Sequence, residues 1–256
     1  MNNIIHAAKN NKYESIEHLI QNGAKINQRD NDNRTPLIHA SANNNVEVVK
    51  LLLKHGASQQ IFDVNGWNAF IYACVNGNNE ILELFFENGA KVNERYFQGH
   101  TPLMIAAGNG NSETVRMLLD KGAYINAKDT NGWTALMHAV QTCDQKSVDI
   151  LLQQGANVNL ADRRGWTALL IAAGQNNPEI IKLLIANGAN INARNNSGIT
   201  ALSLAIILNY RTNVEILVQN NADVHLKDKL GRNAFDIARV YENIEIVDIF
   251  QKNDII

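Results

Sequence analysis

Seven histidines, two cysteines and twenty-five carboxylates are the groups of this 256-residue chain that could do bond-making chemistry. Such chemistry needs convergent sets. Zinc takes three or four ligands near 2 Å, and a nucleophile needs a base and an orienting group beside it. No Walker-type phosphate loop, nucleophile elbow or metalloprotease helix motif occurs in the sequence. Gly108-Asn109-Gly110 lies between two helical stretches rather than after a strand, so it reads as a turn. No catalytic residue, metal site or cofactor is expected. The aromatic residues do rise above background. Trp133 and Trp166 stand 33 residues apart, and Trp67 precedes Trp133 by twice that spacing. Trp and Tyr are the side chains found most often as anchors in protein interfaces. The chemistry to expect is recognition rather than catalysis.

That spacing belongs to the whole chain. Stepping by 33 from Thr101 reaches Asn68, Thr35 and Asn2 in one direction, and Thr134, Thr167, Thr200 and Asn233 in the other. From Thr35 to Asn233, each is followed by alanine or proline and then an apolar residue, as in Pro36-Leu37, Ala69-Phe70 and Ala168-Leu169. A second marker runs through Gly23, Gly56, Gly89, Gly122, Gly155 and Gly188, with Asn221 in the seventh place. A period this strict marks an array of repeats. Thr35-Pro36-Leu37-Ile38-His39-Ala40 and Thr101-Pro102-Leu103-Met104-Ile105-Ala106 carry the signature that resembles the ankyrin-repeat family. The resemblance covers essentially residues 1–256. It implies an all-α solenoid of stacked helix-turn-helix repeats with short β-turn fingers, forming a single domain. Residues 1–30 would be a truncated N-terminal cap, 31–227 six regular repeats, and 228–256 a closing cap.

Each repeat reads as two capped helices. The Thr or Asn marker caps the first, and Asn45, Asn78, Asn111, Asp144 and Asn177 are cap candidates for the second. Pro36, Pro102 and Pro178 stand at first helical positions, where a missing N–H costs little. In the second helix, Val48, Val49, Leu51, Leu52 and Leu53, or Ile180, Ile181, Leu183, Leu184 and Ile185, make one wide apolar face. The position facing outward is polar, as at Lys50, Arg116, Lys182 and Asp248. Glycine after the second helix supplies the left-handed terminating residue. Turns such as Asp129-Thr130-Asn131-Gly132 project as fingers. The family resemblance implies that fingers and first helices line a concave groove. It also marks Asn27, Asn93, Asn126, Asn159 and Asn192 as hydroxylation positions; their default role is turn hydrogen bonding.

The repeat register also acts as a ruler. His39 and His138 are equivalent and three repeats apart, so roughly 30 Å separates them at the rise of packed helices. They cannot share a metal ion. Cys74 and Cys143 should lie on the order of 20 Å apart by the same rise, beyond the roughly 7 Å Cα limit of a disulfide. Two free thiols and a reducing compartment are expected. Cys143 takes a position held elsewhere by Asn44, Gly77, Gly110, Asn176 and Asn209, residues that tolerate positive φ.

The candidate partner-binding residues come from two rows. The finger row is Arg34, Trp67, His100, Trp133 and Trp166, with Ile199 and Arg232 beyond it. The first-helix row contains His39, Tyr72 and His138. Phe97 and the basic corner Arg163 and Arg164 join them. A plain packing role for each Trp, stacked on the next finger, competes with this reading. So does a packing or hydrogen-bonding role for His39 and His138.

A net charge of −2 gives no electrostatic case for nucleic acid or an anionic membrane. No apolar run is long enough to span a bilayer, and no secretory signal is visible at the start. The expectation is a monomeric, cytoplasmic, non-enzymatic scaffold that binds a protein partner through the groove from about Arg34 to Trp166. The Asn, Ile and Lys bias admits a second reading, a secreted bacterial effector whose repeats grip a host protein. An enzyme subunit and a purely structural spacer complete the alternatives.

Overall fold

In the computed structural model, residues 3–252 are described. Met1, Asn2, residues 253–256 and the side chains of Ile244, Asp248, Gln251 and Lys252 lie outside the described residues. The chain forms two compact units, Met1–Tyr124 and Ile125–Ile256. The N-terminal unit holds α1 (Ile4–Lys9), α2 (Tyr13–Gln21), α3 (Pro36–Ala42), α4 (Val46–Lys54), α5 (Ala69–Asn76), α6 (Asn79–Glu87), α7 (Pro102–Gly108) and α8 (Ser112–Asp120). The C-terminal unit holds α9 (Ala135–Gln141), α10 (Gln145–Gln153), α11 (Ala168–Ala173), α12 (Pro178–Ala186), α13 (Ala201–Ile207), α14 (Arg211–Gln219), α15 (Ala234–Val240) and α16 (Ile244–Lys252). Within each unit every first helix packs on the next first helix, and every second helix on the next second helix. This is the nearest-neighbour packing of a repeat array.

The first helices start where the markers fall. Thr35, Asn68, Thr134, Thr167 and Thr200 each accept a hydrogen bond from the backbone N–H three residues on. At the chain start the cap within the described residues is Asn3, which accepts from His6 N at 2.8 Å. In the second helices Asn45, Asn78 and Asn177 cap in the same way. Asn111 and Asp144 do not, which corrects two of the expected caps. The Asn111 amide instead donates to Cys74 O (2.9 Å) and Val75 O (2.8 Å) of the preceding repeat, so it ties two repeats together. Val48, Val49, Leu51, Leu52 and Leu53 are buried, while Lys50 is exposed.

The turn asparagines bond across repeats. The side-chain oxygens of Asn27, Asn93, Asn126, Asn159 and Asn192 accept from the backbone N–H of Ser58, Tyr124, Asn157, Asn190 and Asp223, each in the next repeat. Successive fingers are also joined through backbone bonds, such as Val64 N to Asp32 O and Asn196 N to Arg164 O. Gly165 shows how close the fingers come: its φ is +79°, and a Cβ there would lie 2.9 Å from Asn196 N.

Candidate functional site

Five fingers are built around a carboxylate at the base, Asp30, Asp63, Asp129, Asp162 or Asp228. Asp63 Oδ1 accepts from Asn65 N (2.9 Å) and Trp67 N (3.0 Å), and this closes the turn. Its Oδ2 accepts from the Tyr72 hydroxyl at 2.8 Å. Arg34 Nη2 donates to that hydroxyl oxygen at 2.9 Å, and the guanidinium lies 5.5 Å from the ring centroid. Burial, and then the Asp63 carboxylate, push the Tyr72 hydroxyl up to about 12. It stays neutral and keeps donating. Trp67 packs edge-on to Tyr72 with centroids 5.4 Å apart. Trp67, Tyr72, Val64 and Phe97 line an open cleft of about 710 Å³ whose lower wall is the Asp63–Gly66 turn. Val64 and Phe97 are 66% and 63% exposed.

The neighbouring fingers of the N-terminal unit differ. Asp30 accepts from Asp32 N and Arg34 N through Oδ1, and its Oδ2 lies 2.9 Å from His39 Nε2 and 3.1 Å from Lys9 Nζ. Burial would raise the Asp30 carboxyl, but these bonds outweigh it and bring it down to about 2. His39 is only 7% exposed, and burial holds its imidazole below the ordinary value. Its ring is engaged internally. In the third finger, Tyr96 stands where the Asp would be, packed 6.3 Å from Phe62. A 3₁₀ turn at Phe97–Gly99, with Gln98 at φ 58°, replaces the carboxylate clamp and leaves Phe97 pointing outward. His100 Nδ1 bonds to Phe97 O at 2.9 Å.

In the C-terminal unit, Asp129 clamps Asn131 N and Trp133 N, both at 2.8 Å. His138 Nε2 lies 3.5 Å from Asp129 Oδ2, and the His138 ring lies 5.2 Å from Trp133. Asp162 clamps Arg164 N and Trp166 N in the same way. Its other oxygen accepts from Trp133 Nε1 at 3.1 Å, so the first indole is locked to the next finger. Trp166 has no such lock among the described residues, because the base of the next finger is Asn195. Its Oδ1 is committed to Ser197 N and Ile199 N. Both indoles are half-buried. With Ile171, Leu204, Leu208, Gly174, Gln141, Gln175 and Arg164 they line a slot of about 290 Å³. Arg164 is exposed, as is its chain neighbour Arg163.

The family model described as ankyrin repeats, three copies, matches residues 4–96, 92–162 and 154–228. The chain belongs to the ankyrin-repeat family. The crystal structure of the human ASB11 ankyrin repeat domain superposes with a TM-score of 0.79 at 27% identity, covering 87% of this chain and 99% of that one. Among curated proteins, none matches the sequence. Ankyrin repeats are in general protein–protein interaction modules and non-catalytic. No helix among the described residues is long and apolar enough to cross a membrane. Both cysteines are free, Cys74 buried and Cys143 exposed.

Within this ankyrin array, the structure brings together Arg34, Trp67, Tyr72 and Phe97 in one unit, and Trp133, His138, Arg164 and Trp166 in the other. The finger carboxylates, expected from the sequence only as turn formers, are what positions these side chains. The signal was available. Asp30, Asp63, Asp129, Asp162 and Asp228 share one register, and each lies nine residues before the first-helix row.

Proposed function

We propose that this ankyrin-repeat chain is a non-enzymatic scaffold that binds a protein partner through its fingers and first helices. One observation carries the reading. In each unit, carboxylate-clamped fingers hold indole rings half open beside an apolar cleft. A ring needed only for stacking would be covered by the next finger. Trp67 and Trp166 instead line open space, together with exposed Phe97 and Leu208. Rigid aromatic anchors suit binding because little side-chain entropy is lost when they are covered. His39 serves the finger from behind rather than meeting the partner. Arg34 and His138 hold Tyr72 and Trp133 in place and present their own edges beside them. The free thiols fit a reducing, cytoplasmic setting.

The test is capture of partner proteins by the immobilised chain, compared with the double variant Trp133→Ala/Trp166→Ala. Each truncation should cost about 2 kcal/mol of binding as an interface anchor. The double variant should lose its captured proteins while its far-ultraviolet circular dichroism stays the same. An unchanged capture profile would show that these rings are packing elements.

A further inference from the structure

The fold distributes charge unevenly across the C-terminal unit. The exposed or half-exposed acids lie on the second helices, at Asp149, Glu179, Glu215 and Glu245, in turns beside the helices, at Asp144, Asp223 and Glu242, and on α15, at Asp236. The finger tips carry none. They present Thr130, Asn131, Arg163, Arg164, Asn196, Ser197 and Lys229, all exposed. The aspartates at the finger bases, Asp129, Asp162 and Asp228, are buried beneath them and already accept backbone hydrogen bonds. Of the four first helices that follow these tips, α9, α11 and α13 contain no carboxylate, and α15 contains Asp236, which accepts from Asn233 N. A chain of net charge −2 therefore presents a cationic finger side here.

Arg164 of that finger side is part of the lining of the slot between Trp133 and Trp166. Its floor is apolar, with Ile171, Leu204 and Leu208, and it is deepened at Gly174, which has no side chain. Its polar lining is donor-rich: the Gln141 and Gln175 amides and the Arg164 guanidinium. The indole N–H of Trp166 adds a donor with no acceptor among the described residues. Arg164 is held only loosely, with Nε 3.8 Å from Asp162 Oδ2 and three-quarters of its side chain in solvent. At about 290 Å³ the slot takes one bulky apolar side chain rather than a folded element.

We propose that this slot receives a large apolar side chain from an extended acidic segment of the partner protein, with the segment's carboxylates facing Arg163 and Arg164. The inference rests on the scaffold reading above and names the kind of partner. The apolar anchor supplies contact, and the arginines select its acidic neighbours and speed encounter. Because the arginines are exposed, their contribution falls as salt rises and the Debye length shortens.

The experiment pans a phage-displayed library of random linear peptides, roughly twelve residues long, on the intact protein, on Arg163→Ala/Arg164→Ala and on Gly174→Leu. Gly174 has α-helical φ and ψ, and a Cβ there meets its neighbours at ordinary contact distance, 3.4 Å or more. The leucine therefore fills the slot without backbone strain. The arginine pair lies on exposed tips, so that variant keeps its fold, checked by its melting temperature. The expected result is enrichment of peptides with Phe, Trp, Leu or Met within two residues of Asp or Glu. Both variants should lose that enrichment at least tenfold. High salt should weaken the selected peptides on the wild-type protein and leave an acid-free control peptide unchanged. Neutral or basic motifs, an acidic motif retained by Arg163→Ala/Arg164→Ala, or no enrichment would each overturn the assignment. In any of those cases, partner capture that still depends on Trp133 and Trp166 would leave the scaffold reading standing.

Discussion

Two residues carry consequences of their own. Cys143 sits at φ 56°, in the left-handed region that its equivalents reach as Asn44, Gly77, Gly110, Asn176 and Asn209. A side chain with a Cβ costs roughly 1–2 kcal/mol there. Glycine gives back about 0.5–1 kcal/mol of that through the freer unfolded chain. Cys143→Gly should therefore stabilise by about 0.5–1 kcal/mol, a rise of about 1–4 °C in melting temperature. An unchanged or lower melting temperature would remove the strain argument. Asp30 provides the second case. Its carboxyl is held at about 2, below its unfolded value, so the stability it contributes is present above roughly pH 4 and is lost as pH falls toward 2. The loss amounts to about 2 kcal/mol. His39 adds to it from higher pH. Its imidazole is depressed by burial, so protonation favours the unfolded chain as pH drops below the ordinary histidine value. Asp30→Asn should flatten the stability-against-pH curve below pH 4, measured by urea titration. A variant curve that runs parallel to the wild type would assign the acid loss to other groups.

At the scale of the element, the helices and their order were legible in the sequence because period, caps and apolar faces agree. The fingers were only partly so. A 33-residue period fixes where a Trp falls, but not whether its N–H finds an acceptor one repeat later. That depends on Asp162 following Trp133 and Asn195 following Trp166. Asparagine is also ambiguous at the second-helix start. Asn45 caps its own helix, while Asn111 turns back to carbonyls of the repeat before it. In the third finger Tyr96 breaks the carboxylate register, and the outward turn of Phe97 follows from that loss. The carboxylate clamp makes the finger a unit that one substitution can release. Asp162→Ala removes the acceptor of Arg164 N, Trp166 N and Trp133 Nε1 together. It should destabilise by about 2–3 kcal/mol, since unpaired backbone donors cost about 1–3 kcal/mol each and the finger can partly rehydrate. Denaturant midpoints measure the cost, and red-shifted Trp133 fluorescence should accompany it. A midpoint within error of the wild type would mean the backbone ladder between fingers holds the turn unaided.

For the molecule as a whole, the physical question is how far a local loss travels. A globular core spreads damage because every element touches a shared interior. Within each unit, each helix packs on its partner within the repeat and on its counterparts in adjacent repeats. α12, for example, packs on α10, α11 and α14. Stability in such an array is close to a sum of repeat and nearest-neighbour terms. Leu184 lies in α12 and is fully buried. Leu184→Ala should cost about 2–5 kcal/mol where it sits. Amide hydrogen exchange followed by mass spectrometry should then show faster exchange in α10 to α14, the contact neighbourhood of the cavity. Exchange in α1 to α6 should match the wild type, because those helices form and bury their own layers within Met1–Tyr124. A uniform loss of protection over all sixteen described helices would require one cooperative core, and the near-neighbour account would fail. If the loss stays local, a ligand seated between Trp133 and Trp166 should protect the fingers that carry them and the helices that line the slot, α9, α11 and α13, and leave α1 to α6 unchanged. The binding reading and the repeat architecture then predict two local patterns in one measurement, which overlap at α11 and α13.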